Sequence, residues 1–83
     1  MIWLASPETD EDLSGARDYI AADNERAALD FLDAAFEAFD LLAQFPEMGP
    51  LARFKKRALK GVRFFVIAPP FNRWLIFYQP TSR

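Results

Sequence analysis

Eighty-three residues give room for one domain with one small core, of a size that buries roughly 60–65% of its unfolded surface and is only marginally stable. Neither cysteine nor histidine is present, which excludes disulfides, thiolate zinc sites, cysteine nucleophiles and Ser–His–Asp catalysis. The net charge of −2 hides a segregation: the first 47 residues hold all twelve carboxylates and two arginines, for −10, and the last 36 hold eight cations, for +8. Such a division suits a protein that meets a charged partner.

The pattern predicts a short strand over residues 2–5. Ser6 has the character of a helix N-cap, Pro7 of a first helical residue, and Glu8 and Asp10 of first-turn anions, so a helix is expected over residues 7–22. Asp23 and Asn24 mark a break, and either can cap a second helix over 25–45. There Leu29, Leu32, Phe36 and Phe39 form one apolar ridge. Phe31, Ala35, Ala38, Leu42 and Phe45 form an adjacent one, and Asp30, Asp33, Glu37, Asp40 and Gln44 a polar third. An apolar face of double width can touch both a sister helix and a sheet.

Pro46 ends this helix. Residues 51–61 are basic and irregular, followed by two strongly strand-like runs, 62–67 and 73–79, joined by Ala68-Pro69-Pro70-Phe71-Asn72 as a hairpin connection. The expected fold is therefore α+β in the order β-α-α-β-β, a helical hairpin packed on a small antiparallel sheet. The late strands alternate little. One face can bury against the helices, and the other remains an exposed aromatic patch unless something covers it. The start of the chain has no basic leader and no apolar run is long enough to span a bilayer, so a cytoplasmic protein is expected.

Six cations, Arg53, Lys55, Lys56, Arg57, Lys60 and Arg63, fall within eleven positions. They read either as a partner-binding surface or as a solvated loop, and an RNA site would couple them to aromatic stacking platforms. Asp30 and Asp33 share a helix face, but no third ligand converges on them and no metal is expected. The three glycines are isolated, so no phosphate-cradling loop is expected. Trp3 and Trp74 read as core or interface anchors. Tyr78 reads either as a proton carrier or as a half-buried strand residue with its hydroxyl at the sheet rim.

Several segments together carry a family likeness. They are the opening strand with Ser6-Pro7-Glu8; Asp12-Leu13, Asp18-Tyr19-Ile20-Ala21, Asn24 and Ala27-Ala28 in the helical hairpin; Leu42 through Pro46 with Met48-Gly49; and Gly61-Val62-Arg63 with Leu75-Ile76-Phe77-Tyr78. In order and spacing the chain resembles the ParE/RelE toxin superfamily of bacterial toxin–antitoxin modules, and the ParE branch more closely. The resemblance covers residues 1–83 as a single domain. It implies a cytoplasmic, cofactor-free toxin that inhibits DNA gyrase by binding, serves plasmid stabilisation and is neutralised by a ParD-like antitoxin.

The binding residues implied are Arg53, Lys55, Lys56, Arg57, Lys60, Arg63, Phe65, Arg73, Trp74 and Tyr78. Two alternatives stand beside this reading. One is a RelE-like, ribosome-dependent mRNA endoribonuclease working through Lys56, Arg63, Arg73 and Tyr78, the only case in which direct nucleic-acid binding is expected. The other is a non-toxic module that still binds an antitoxin. Family members usually continue into a further strand and an arginine-containing segment, whereas this chain stops at Arg83. If Arg83 is the natural end, a domain lacking the usual last strand is expected, with the 73–79 strand as an open edge and docking site.

Overall fold

The computed structural model describes residues 2–80. Strand β1, Ile2–Ala5, turns at once into a two-residue strand β2, Asp10–Glu11, its antiparallel partner. Between them Ser6 and Thr9 exchange backbone hydrogen bonds, the Ser6 amide donating over 2.9 Å, and the Glu8 amide donates to Ser6 Oγ at 3.2 Å. Ser6-Pro7-Glu8 is thus a hairpin turn, which corrects the expected helix start. Ser, Pro and an acid are the residues of a tight turn as much as of a helix N-terminus, and here they leave Asp10 and Glu11 free to pair with β1. The N-cap falls instead on Asp12, whose carboxylate accepts from the Gly15 amide at 2.7 Å, and helix α1 spans Leu13–Ala21.

Asn24 is the cap of the second helix, accepting from the Ala27 amide at 3.1 Å. Helix α2, Glu25–Gln44, runs back along α1 as its antiparallel partner and stops before Pro46, the Phe45 amide making the last bond to the Leu41 carbonyl. After a long loop come β3, Arg63–Val66, and β4, Leu75–Tyr78. Both are shorter than their apolar runs; Val62, Ile67 and Trp74 flank the regular ladder and are buried, the Ile67 amide still donating to the Trp74 carbonyl at 3.1 Å.

The sheet order is β2-β1-β4-β3, with every pairing antiparallel. This corrects the expected open edge: β4 is interior, flanked by β1 and β3. The short hairpin supplies a fourth strand at the N-terminal side, which a helix placed over residues 7–12 had concealed. Of the two true edges, β2 is short and acidic. The outer side of β3 is partly closed by the loop, the Phe64 amide donating to the Pro50 carbonyl and the Ala52 amide to the Val62 carbonyl. Both are ways of blunting a sheet edge. The expectation attached to the tail at Arg83 lies outside the described residues.

Both helices lie on one face of the sheet. Leu4, Ile76 and Phe65 are in register across β1, β4 and β3, and strand alternation turns them all to the helix side. There they meet Phe31, Ala35, Ala38 and Leu42 of α2 and Ala16 of α1 in one core. Phe31 is fully buried, with its ring centroid 5.5 Å from both Phe71 and Trp74. The second ridge of α2 is less used: Leu32 and Phe39 are half-buried, while Leu29 and Phe36 are 60% and 52% exposed. Phe45, expected on the buried ridge, is exposed because the helix ends before it. Among the described residues no helix is long and apolar enough to cross a membrane.

Candidate functional site: a cationic loop beside an aromatic sheet face

The register that sends Leu4, Ile76 and Phe65 inward sends Trp3, Phe77 and Phe64 to the opposite face, where no helix lies. Trp3 and Phe77 are cross-strand partners and their rings stack at 4.9 Å and 14°. Phe64, on the other side of Phe77, stands 6.3 Å from it. One further ring reaches this face from the basic loop. Phe54 lies 5.7 Å from Phe77 and 6.1 Å from Trp3, and remains 39% exposed. The patch expected to lie bare is therefore partly covered by the chain itself.

Phe54 also borders a cavity of about 530 Å³ whose other walls are Lys55, Lys56, Arg57 and Lys60. A 3-10 turn, Arg57–Leu59, and the left-handed Gly61, with φ of 88°, set the path of this loop. Gln79 Nε2 donates to the Lys60 carbonyl at 3.0 Å and anchors its far end to the strand. The ion pairs among the described residues are Arg17–Asp18, Arg26–Asp30 and Arg73–Glu8. Arg53, Lys55, Lys56, Arg57 and Lys60 take part in none of them, so five neighbouring cations keep their field uncompensated by a paired carboxylate.

The other predicted site residues are placed differently. Arg63 turns to the helix side and donates through Nη1 to the Gly49 carbonyl at 2.8 Å and the Glu47 carbonyl at 3.2 Å. Its cross-strand partner Tyr78 is buried and holds the same segment, donating to the Pro46 carbonyl at 2.8 Å. Trp74 is in the core and Phe65 packs against it. Arg73 sits at the far end of the aromatic face, 2.7 Å from Glu8, where it helps line a cavity with Trp3 and Phe77. The fold thus gathers Lys55, Lys56, Arg57 and Lys60 around one cavity, sets Arg53 on the neighbouring one that Phe54 shares with Phe64 and Phe77, and keeps Arg63, Phe65, Trp74 and Tyr78 apart from both.

Phe54 is the residue that sequence reasoning passed over. Its signal was present as a single aromatic ring set between Arg53 and Lys55 in a run otherwise read only for charge. A second concavity, of about 570 Å³, lies between α2 and the end of β3. Ala38, Leu41, Phe65 and Val66 line it, with Glu37 and Asp40 among its walls. The cationic loop takes no part in it.

No curated protein and no solved structure matches the chain. A family model described as the ParE toxin of the type II toxin–antitoxin system parDE matches residues 4–83. With nearly its whole length matched, on the α+β fold described above, the chain belongs to the ParE toxin family, the toxin component of a type II module that is paired with an antitoxin.

Proposed function

We propose that this toxin acts in the cytoplasm by binding DNA gyrase rather than by cutting a substrate, and that a ParD-like antitoxin neutralises it. The observation that carries the reading is the engagement of Arg63 and Tyr78 by backbone carbonyls at the exit of α2. Metal-free cleavage of a phosphodiester needs a proton acceptor, a proton donor and cations around one phosphate. Of the four residues that a RelE-like site would use, Arg63 and Tyr78 hold the loop, Arg73 is bound to Glu8, and Lys56 lies on the cationic loop. That distribution supports a surface that binds over one that turns a substrate over.

The antitoxin is expected to shield the cationic loop and the aromatic face together. Five cations that form no ion pair among the described residues, beside an exposed Phe54, suit an acidic segment with an apolar anchor. A supercoiling assay with purified toxin tests the target. Inhibition that disappears on adding antitoxin is the expected result; full supercoiling activity at a molar excess of toxin removes gyrase from the proposal. Cleavage of translated mRNA after induction would assign the RelE-like activity instead.

A further inference from the structure

We propose that the sheet face opposite the helices, together with the Phe54 loop, is a binding site for single-stranded nucleic acid. Bases stack on the aromatic face and phosphates sit against Lys55, Lys56, Arg57 and Lys60. The site needs no gyrase and stands apart from the identity of the toxin's target.

Phe54 makes the two halves one surface. It borders the cationic cavity, the cavity lined by Trp3 and Phe77, and the shallow one between Phe64 and Phe77. A strand whose backbone follows the loop therefore has the exposed Phe54 ring within reach of its bases, backed by the half-buried Trp3, Phe64 and Phe77. This pairing of a cationic track with π faces is the chemistry by which single strands are held without reading their sequence. Of the acids on the neighbouring hairpin, Glu8 is already paired with Arg73, and Asp10 lines the Trp3–Phe77 cavity but not the one walled by the lysines. The overall charge of −2 does not oppose binding here, because Asp18, Glu25, Asp30, Asp33, Glu37 and Asp40 belong to the helical layer behind the sheet.

The aromatic half of the site decides between classes of polyanion. A duplex keeps its bases stacked on one another and offers the lysines only its phosphates. An acidic peptide without an aromatic or apolar anchor, such as polyglutamate, offers carboxylates and no flat π face. A single strand uses both halves. DNA and RNA share this chemistry, and nothing on the face selects for the 2′-hydroxyl.

Fluorescence anisotropy of the full chain with labelled single-stranded DNA and RNA dodecamers, a duplex of the same length and a polyglutamate competitor tests the proposal. Both single strands are expected to bind more tightly than the duplex. With about four phosphates engaged, the slope of log K against log salt should be about −3. Phe54→Ala is expected to weaken binding about tenfold and leave the slope unchanged. Lys55→Gln with Lys56→Gln should make the slope shallower by about 1.4. The lysine pair carries the test if circular dichroism shows that Phe54→Ala does not fold. A preference for either DNA or RNA supports the site and identifies its source. Absence of binding at low salt overturns the proposal. So does a duplex bound as tightly as the single strands, displacement by polyglutamate at equal charge, or binding unaffected by the lysine pair. Because gyrase is absent from the assay, failure here leaves the supercoiling result standing.

Discussion

The phenolic oxygen of Tyr78 accepts the Gly49 amide proton at 3.1 Å while donating its own to the Pro46 carbonyl at 2.8 Å. One side chain on β4 thereby satisfies a donor and an acceptor of the segment that leaves α2. Arg63, directly across the ladder on β3, takes the carbonyls of Glu47 and Gly49. Two residues of types common in active sites thus fasten the helical layer to the sheet. The loop they hold continues directly through Pro50–Ala52 along the edge of β3 and into the cationic segment, so the staple also sets where Phe54 begins.

Tyr78→Phe should therefore read as a stability change. It removes both bonds and leaves the buried Gly49 amide without an acceptor, at a cost of about 1–3 kcal/mol. A urea titration should show a lower midpoint with an unchanged slope. Inhibition of gyrase per folded molecule should be unaltered. A variant with wild-type stability but no activity would move Tyr78 from the scaffold to the site.

Gly49→Ala tests the same contact from the other side. A methyl group at this position would meet the Phe64 carbonyl oxygen, a backbone atom that cannot swing away, and would stand 2.8 Å from the Tyr78 hydroxyl. Overpacking of this kind costs about 1–3 kcal/mol, and here it also breaks the staple. Thermal unfolding should show a drop at least as large as that of Tyr78→Phe. The double variant should lose less than the two single losses together, because both act on one contact.

The position of the first helix cap gives a third test. Asp12→Ala removes an acceptor 2.7 Å from the Gly15 amide and should cost about 1 kcal/mol. Ser6→Ala removes a longer 3.2 Å contact in an exposed turn and should cost under about 0.5 kcal/mol. Denaturant midpoints of the two variants check the order. The reverse order would restore the helix start to Ser6.

Legibility in the sequence followed the strength of periodicity. Helix α2 was readable to within a residue because its apolar ridges persist over five turns and Asn24 and Pro46 bracket it. The late hairpin was readable because β-branched and aromatic runs flank a Pro-Pro turn. Strand β2 was not, since two acidic residues have no strand signature and gain their conformation only by pairing with β1. The cationic loop was visible as charge, but its union with Trp3 and Phe77 depends on register and on a ring 51 residues from Trp3 in the chain. The place of Tyr78 on a strand with its hydroxyl at the sheet rim is one of its two sequence readings, but the carbonyls that it and Arg63 engage are not legible, because hydrogen bonds to a loop leave no mark on composition.

The two ridges of α2 provide the last prediction. Phe31 and Phe36 are the same residue type on one helix, and their i, i+5 spacing turns them 140° apart about its axis. Phe31 is fully buried between Phe71 and Trp74, so Phe31→Ala should cost about 3–5 kcal/mol, enough to unfold much of so small a domain. Phe36 is half-exposed and touches Phe39 edge-on at 6.2 Å, so Phe36→Ala should cost under about 1 kcal/mol. Guanidinium unfolding of both variants measures the difference. Antitoxin affinity then gives the outer ridge a separate reading: if Phe36→Ala leaves stability intact and weakens the complex, the exposed ridge belongs to the antitoxin interface. If both quantities are unchanged, Phe36 lies outside the antitoxin interface.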